Sequence, residues 1–301
     1  MRERGPGTGA LTVDVEEYFH ATLLRDRVGR KEWEARAGRA GAAVERLLRR
    51  FEEWDARATF FVLGWLAERE PDTIRAIAAA GHEIACHGYD HALVHELGPE
   101  RFRADLRRSR DAIGAVTGRA PSGYRAPTFS ITRRSLWAFP ILIEEGFRFD
   151  SSVFPIRHDR YGIPGFPRRP VRIRADAGEI IEFPLSTRRL WRWNLPVSGG
   201  GYLRLLPFSW IRRGFEAIRA EGGTPVLYLH PWEIDPDQPR VPLPLLSRFR
   251  HYHGIEHVEE RLGRLIEGGD FLPMGELIDR VDAEPFDPAR LTDAFQARPS
   301  S

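Results

Sequence analysis

The chain predicts an α/β fold, a (β/α) barrel around a parallel sheet, and three observations carry that reading. Short β-branched and aromatic runs alternate with amphipathic helical stretches through the first half, the pattern of a parallel sheet with right-handed crossovers. No glycine-rich phosphate loop joins the first strand to the first helix, so a dinucleotide-binding fold loses ground to a barrel. Several strand-like runs end on an ionisable group, and parallel barrels build their sites from the C-terminal ends of strands.

The elements follow in order. "LTVDV" is the first strand, and "GAAVERLLRRFEEW" has helical spacing. "ATFFVLG" is strand-like, and the helical "LAEREPDTIRAIAAAG" ends on Gly81. "HEIACHG" is a strand, and "GPERFRADLRRSRDAIGAVTG" is a helix with proline near its start and Gly118 past its end. "SGYRAP" and "FRFDSS" are strands on either side of "TRRSLWAFPILIEEG", which Thr132 can cap. From 153 to 207 the rhythm breaks into a Pro-, Gly- and Arg-rich insertion with strand-like "VRIRA" and "IIEFPLS"; such long segments are more often functional than filler. The rhythm returns with helix "SWIRRGFEAIRAEGG", strand "TPVLYLH", helix "VEERLGRLIEGG" and strand "FLPM". One domain over 11–282 is expected, with 283–301 as a tail.

Composition narrows the function classes. A formal net charge of +2, with arginines scattered rather than blocked, gives no case for nucleic acid. The single cysteine, Cys86, excludes an internal disulfide. The N-terminus has no apolar leader region, and no run approaches a membrane span. A cytoplasmic protein is expected, with peripheral association at the inner membrane face left open.

Strand parity sorts the polar residues. Asp14 and Glu16 share one face of the first strand while Glu17 takes the other. His87 opposes Cys86, so a His87 at the barrel mouth leaves Cys86 in the helix layer as a small hydrophobe. "HGYDH" pairs His87 with His91, whereas the rival "HYHGIEH" (His251, His253, His257) leads into a helix with no strand end beside it. Two imidazoles and one carboxylate with an open position suit a catalytic divalent metal, zinc by default, with cobalt, nickel or manganese as alternatives. A second carboxylate can take a proton from water and a histidine opposite can donate one. Taken singly, Arg125 and Asp150 also suit a structural ion pair, and His230 a hydrogen-bonded core histidine.

At these residues the chain resembles the polysaccharide deacetylases of the NodB-homology superfamily (carbohydrate esterase family 4), and within them the exosortase-associated branch of bacterial exopolysaccharide loci. The matching stretches include "TVDVEEYF", "ATFFVLGWLAE", "HEIACHGYDH", "GYRAPTFSI", "FDSSVFPIRHDRYGIP", "LPVSGGGYLRLLP" and "YLHPWEIDPDQPR", in the family's order from Leu11 to Met274. The resemblance implies a distorted (β/α) barrel, usually with seven strands, and hydrolysis of the N-acetyl group of acetamido sugars in an acetylated polysaccharide or oligosaccharide. It implies Asp14 as base, His87 and His91 as metal ligands, Arg125 as partner of the base, His230 as acid and Asp150 as support for the acid. It also implies that Leu229 lines the pocket for the acetyl methyl. Many members carry adjacent aspartates in the first motif; here Val15 follows Asp14, and an acid-x-acid arrangement makes Glu16 the ligand, as parity does. An oxyanion-holding N–H is expected in the "RAPTF" turn. Arg157, His158, Arg160, Tyr161 and Trp232 are candidates for binding the glycan. Two rivals stand beside this reading: a deacylase of small amides or cyclic imides on the same scaffold, and a catalytically inactive glycan-binding relative. No G-x-S-x-G elbow occurs, which disfavours a serine hydrolase.

Overall fold

The structure is a computed structural model that describes residues 8–25 and 27–291. Residues 1–7, where no leader is expected, and 292–301, the end of the expected tail, lie outside the described residues.

The strands are β1 Gly9–Val15, β2 Thr59–Val62, β3 Glu83–Cys86, β4 Gly123–Tyr124, β5 Phe149–Asp150, β6 Val171–Ala175, β7 Gly178–Glu182, β8 Thr187–Leu190, β9 Trp193–Pro196, β10 Val226–Leu229, β11 Phe271–Leu272 and β12 Glu284–Pro285. The helices are α1 Ala40–Glu53, α2 Gly64–Arg69, α3 Pro71–Ala79, α4 Val94–Thr117, α5 Ala138–Glu144, α6 Gly200–Leu205, α7 Phe208–Ala220, α8 Leu245–Tyr252 and α9 Val258–Glu267. The main sheet runs β10-β1-β2-β3-β4-β5-β7-β6-β12, with β11 beside the start of β1. Every pairing from β10 through β7 is parallel, so those strands are the expected seven.

The helices form because their apolar residues recur every three or four positions. α1 buries Ala43, Val44, Leu47 and Phe51 along one stripe, and α9 buries Val258, Leu262, Leu265 and Ile266. α4 bends at Gly98, whose φ of 73° precedes Pro99, so its main length begins where the sequence places it.

Period-two alternation gives the sheet two apolar faces. Ala10, Phe61, Ala85, Phe149, Ile181 and Tyr228 fill the barrel interior. Leu11, Val13, Cys86, Leu227 and Leu229 belong to the other cluster, with the helical Val44, Leu47, Phe102 and Phe215. Each buried large apolar side chain contributes about 1.5–3 kcal/mol relative to exposure, so a one-residue slip of β1 exchanging these sets is strongly disfavoured.

Two expectations need correction. "VRIRA" and "IIEFPLS" are not free-standing pieces of an irregular insertion. They become β6 and β7, and β7 continues the parallel sheet next to β5. Among the described residues, only β8 and β9 form a hairpin apart from it. The stretch from 283 does not begin as a loose tail, because β12 pairs with β6 and the Phe286 N–H donates to the Arg172 carbonyl at 2.8 Å.

Candidate active site

Asp14 and Glu16 leave β1 on the interior face, which parity anticipates. Arg125, at the end of β4, is fully buried and ties the site together. Its guanidinium donates to Asp14 Oδ1 at 2.7 Å, Thr12 Oγ1 at 2.9 Å, and the carbonyl and hydroxyl of Ser151 at 3.0 and 2.9 Å. The Phe61 ring lies beneath it at 4.1 Å. Its backbone carbonyl accepts from His87 Nδ1 at 2.8 Å. One residue therefore aims both a carboxylate and a histidine.

The His87–His91 turn is held from outside. Gly88 has φ 76° and His91 φ 59°, a reversal that needs the left-handed region twice. Ser109 Oγ donates to the Gly88 carbonyl at 2.8 Å and the Tyr89 N–H donates to Asp105 Oδ2 at 3.1 Å, both side chains coming from α4. The Gly64 and Trp65 N–H groups, from the first turn of α2, reach the Gly88 and Tyr89 carbonyls at 2.9 Å each. His87 Nε2 and His91 Nε2 thereby converge on Glu16 Oε1 at 3.0 and 2.9 Å. Burial alone would raise the Glu16 carboxyl, but the charges of His91 and His230 and hydrogen bonds from both ring nitrogens hold it well below the usual range.

Among the described residues this is the one cluster of three side chains whose ligand atoms lie within 4.8 Å of one another. The rival cluster is dispersed: His251 is buried and pushed down to about 4 by burial and then by Arg204, while His257 is exposed. The donor set fits a cation. A carbonyl can only accept, so His87 Nδ1 carries a hydrogen toward Arg125, and Nε2 is the nitrogen turned to Glu16. A carboxylate and two imidazole nitrogens gathered this closely are the donor set of a divalent cation.

Glu17 is separate, as its parity requires. Its carboxylate accepts from the Arg39 and Ala40 N–H groups at the start of α1, at 2.9–3.2 Å. Cys86 donates to Ser109 Oγ at 3.2 Å in the helix layer, and burial pushes its thiol up to about 12, leaving no thiolate at neutral pH.

His230 leaves β10 with Nε2 3.9 Å from Asp14 Oδ2. Its other nitrogen corrects an expectation. The carboxylate at Nδ1 is Glu233, at 3.0 Å, and the same Oε2 accepts the His230 N–H at 3.1 Å. Glu233 is anchored by Arg204 Nε at 3.0 Å, and Arg204 also grips the His251 and His253 carbonyls. Asp150 has no hydrogen bond or ion pair to His230. It ends β5, between β4 and β7, where Ser152 Oγ donates to its Oδ1 at 2.6 Å and the buried Glu182 is its neighbour in register. Burial raises both of these acids, and their mutual approach raises Glu182 further. Glu233 had a sequence signal: the "HPWE" stretch has the spacing of a capping box, with proline at the first turn position.

Leu229 also needs correction. It is fully buried in the helix-layer cluster, whereas Tyr228 points into the barrel with its ring 6.0 Å from His230 and 5.0 Å from Phe129. Trp232 is not an open sugar platform; it is buried and stacked on His230 at 5.0 Å and on His251 at 4.7 Å. Arg157, His158 and Arg160 are exposed and Tyr161 half-buried, with His158 stacked on Tyr161 at 3.9 Å. In the "RAPTF" turn Thr128 and Phe129 both have positive φ, 54° and 52°, so local strain is stored at the site's edge.

With this geometry in view, two family models match the chain: polysaccharide deacetylase over residues 38–139 and the domain of unknown function DUF3473 over residues 151–279. The chain carries a polysaccharide deacetylase domain. The deacetylase match includes the turn with His87 and His91 and the strand end with Arg125, and DUF3473 includes the insertion and His230. A peptidoglycan deacetylase from Helicobacter pylori is 32% identical over 117 residues, 39% of this chain and 38% of that protein. The matched stretches span about a third to a half of the length of the curated relatives. Among solved structures, a Mycobacterium smegmatis protein described as a polysaccharide deacetylase covers 100% of this chain and 97% of its own, with TM-score 0.66 and 24% identity. Puue allantoinase aligns with TM-score 0.56 and 18% identity, over 100% of this chain and 94% of its own. These likenesses place the deacetylase domain in the barrel-like fold of that group.

Proposed function

We propose that this chain is a metal-dependent amidohydrolase that removes N-acetyl groups from acetamido sugars of an exopolysaccharide or its precursor, releasing acetate. The observation that carries the reading is the facing of Asp14 and His230 Nε2 beside the Glu16–His87–His91 cluster. Glu16, His87 and His91 would hold a divalent ion, zinc by default, which supplies Lewis-acid polarisation of the acetamide oxygen and a lowered pKa for water. Asp14, aimed by Arg125, takes the proton of the attacking water. His230, its Nδ1–H held by Glu233, delivers a proton from Nε2 to the sugar nitrogen as the C–N bond breaks. Tyr228 and Phe129 supply apolar surface near His230, suited to an acetyl methyl. The substrate that reconciles a cytoplasmic enzyme with an exported polymer is an intermediate at the inner membrane face.

The test is acetate release from chito-oligosaccharides against small amides and allantoin. Asp14→Asn should lower turnover by about 10²–10⁴-fold while zinc content stays at the wild-type value. Full activity in that variant sinks the base assignment, and turnover of the small amides alone sinks the glycan reading.

A further inference from the structure

We propose that the insertion carries a binding cleft for the anionic groups of an acidic acetamido glycan, a substrate class that rests on the deacetylase reading above. Residues 155–158 and 164–171, the β8–β9 hairpin and residues 282–286 wall a cavity of about 1080 Å³. Its volume is at the upper end of ligand sites, enough for more than one sugar ring.

The lining is strongly cationic in a chain whose formal net charge is only +2. Arg133, Arg157, Arg168, Arg169, Arg189 and Arg192 all line it, against Glu221, Asp282 and Glu284. Arg168 pairs with Glu221 at 2.8 Å. Among the described residues Arg157, Arg169, Arg189 and Arg192 have no carboxylate partner. Arg189 Nε reaches only the Trp191 carbonyl at 3.2 Å, and Arg192 lies 5.3 Å over the Trp193 ring. Guanidinium groups gathered without counter-charge repel one another, and a ligand with spaced anionic groups relieves that cost. The planar guanidinium fork matches carboxylate and phosphate oxygens alike. Trp193, half exposed, adds a flat ring for a sugar face.

The cleft is coupled to the catalytic end through packed residues. Asn194 Nδ2 donates to the Pro155 carbonyl at 2.7 Å, fixing the hairpin to the segment that follows β5. Phe154 in that segment meets Phe129 at 5.7 Å, and Phe129 meets Tyr228, the neighbour of His230. In this proposal the sugars beyond the anchored one extend from the cleft toward the catalytic end. A neutral chitin-like chain would leave the four unpaired guanidinium groups without a partner.

Calorimetric titration of the full chain tests this with three probes: a hyaluronan hexasaccharide (N-acetylglucosamine alternating with glucuronate), neutral chitohexaose, and UDP-N-acetylglucosamine. At low salt at least one charged probe should bind about tenfold or more tighter than chitohexaose, with the margin shrinking as salt rises. Hyaluronan preference identifies carboxylates on a polymer, and UDP-N-acetylglucosamine preference identifies a pyrophosphate-linked precursor. The Arg169→Gln/Arg192→Gln double variant should lose the margin at an unchanged melting temperature. Equal binding of all three probes overturns the cleft, as does a margin that survives in a folded double variant. Binding is the readout, so failure of acetate release would count against the catalytic reading without touching this one.

Discussion

At the scale of single residues, the most informative side chain is Glu233. Burial would raise its carboxyl, but the His230 hydrogen bond and the Arg204 guanidinium hold it low and ionised. Burial would lower His230 in turn, yet the charge of Glu16 and the bond to Glu233 push it up to about 9. An acid works while protonated, so acetate release should hold below the folded pKa of His230 and fall as pH rises through it. A cation on Glu16 cancels that carboxylate's charge, which leaves Glu233 and Asp14 as the support and moves the alkaline limb below 9. Glu233→Gln should move it further toward the ordinary imidazole value and lower kcat at pH 8 by about 10–100-fold. The pH profile of kcat/KM for acetate release checks this, and an unmoved alkaline limb excludes the role. The sequence pointed to His230 but paired it with Asp150, because a strand-end carboxylate is visible in one dimension while the turn of a chain after a histidine is not. Leu229 failed for a simpler reason: alternation along "VLYLH" puts Tyr228, not Leu229, inside, and the parity rule that placed Glu16 would have placed it too.

At the scale of elements, the site depends on α4 clamping the His87–His91 turn. Asp105 is the clamp with a pH signature. Burial pushes its carboxyl from 3.8 up to about 7, more than the Tyr89 N–H bond lowers it. The folded pKa exceeds the unfolded one, so this group's contribution is fully present below about pH 4 and is lost as pH rises through about 7. Asp105→Asn keeps an oxygen for the Tyr89 N–H and removes the titration. The variant should therefore flatten the fall in melting temperature between pH 5 and 8, and a wild-type slope in the variant overturns the assignment. Such elements were legible where periodicity is strong: the β1 alternation, the α1 stripe and the proline and glycine that bracket α4 all read correctly. β6 and β7 looked strand-like but their place in the sheet did not show, since pairing with β5 is a contact between segments about 30 residues apart. β12 was hidden by its length of two residues, too short for any period.

At the scale of the whole molecule, the cluster of Glu16, His87 and His91 joins strand ends that are far apart in sequence, so an ion there should stabilise the fold as well as serve the chemistry. Glu16 follows β1, His87 follows β3, and His87 is fixed by the carbonyl of Arg125 at the end of β4. Anything that binds the native state alone adds RT ln(1 + [L]/Kd), about 2.7 kcal/mol at a hundredfold excess over Kd. In a domain of this size about 1 kcal/mol moves the melting temperature by roughly 2–4 °C, so dialysis against a chelator should lower it by roughly 5–10 °C and abolish acetate release. Zinc added back should restore both. His87→Ala, which leaves two of the three ligands, should melt at the same temperature with and without zinc. Asp14→Asn, off the ion but beside it, should keep the full zinc-dependent shift while remaining inactive. That pair of variants separates holding the ion from using it. A wild-type protein whose melting temperature ignores both chelator and zinc would remove the metal from the site, and with it the role of Glu16 as the acidic ligand beside two histidines.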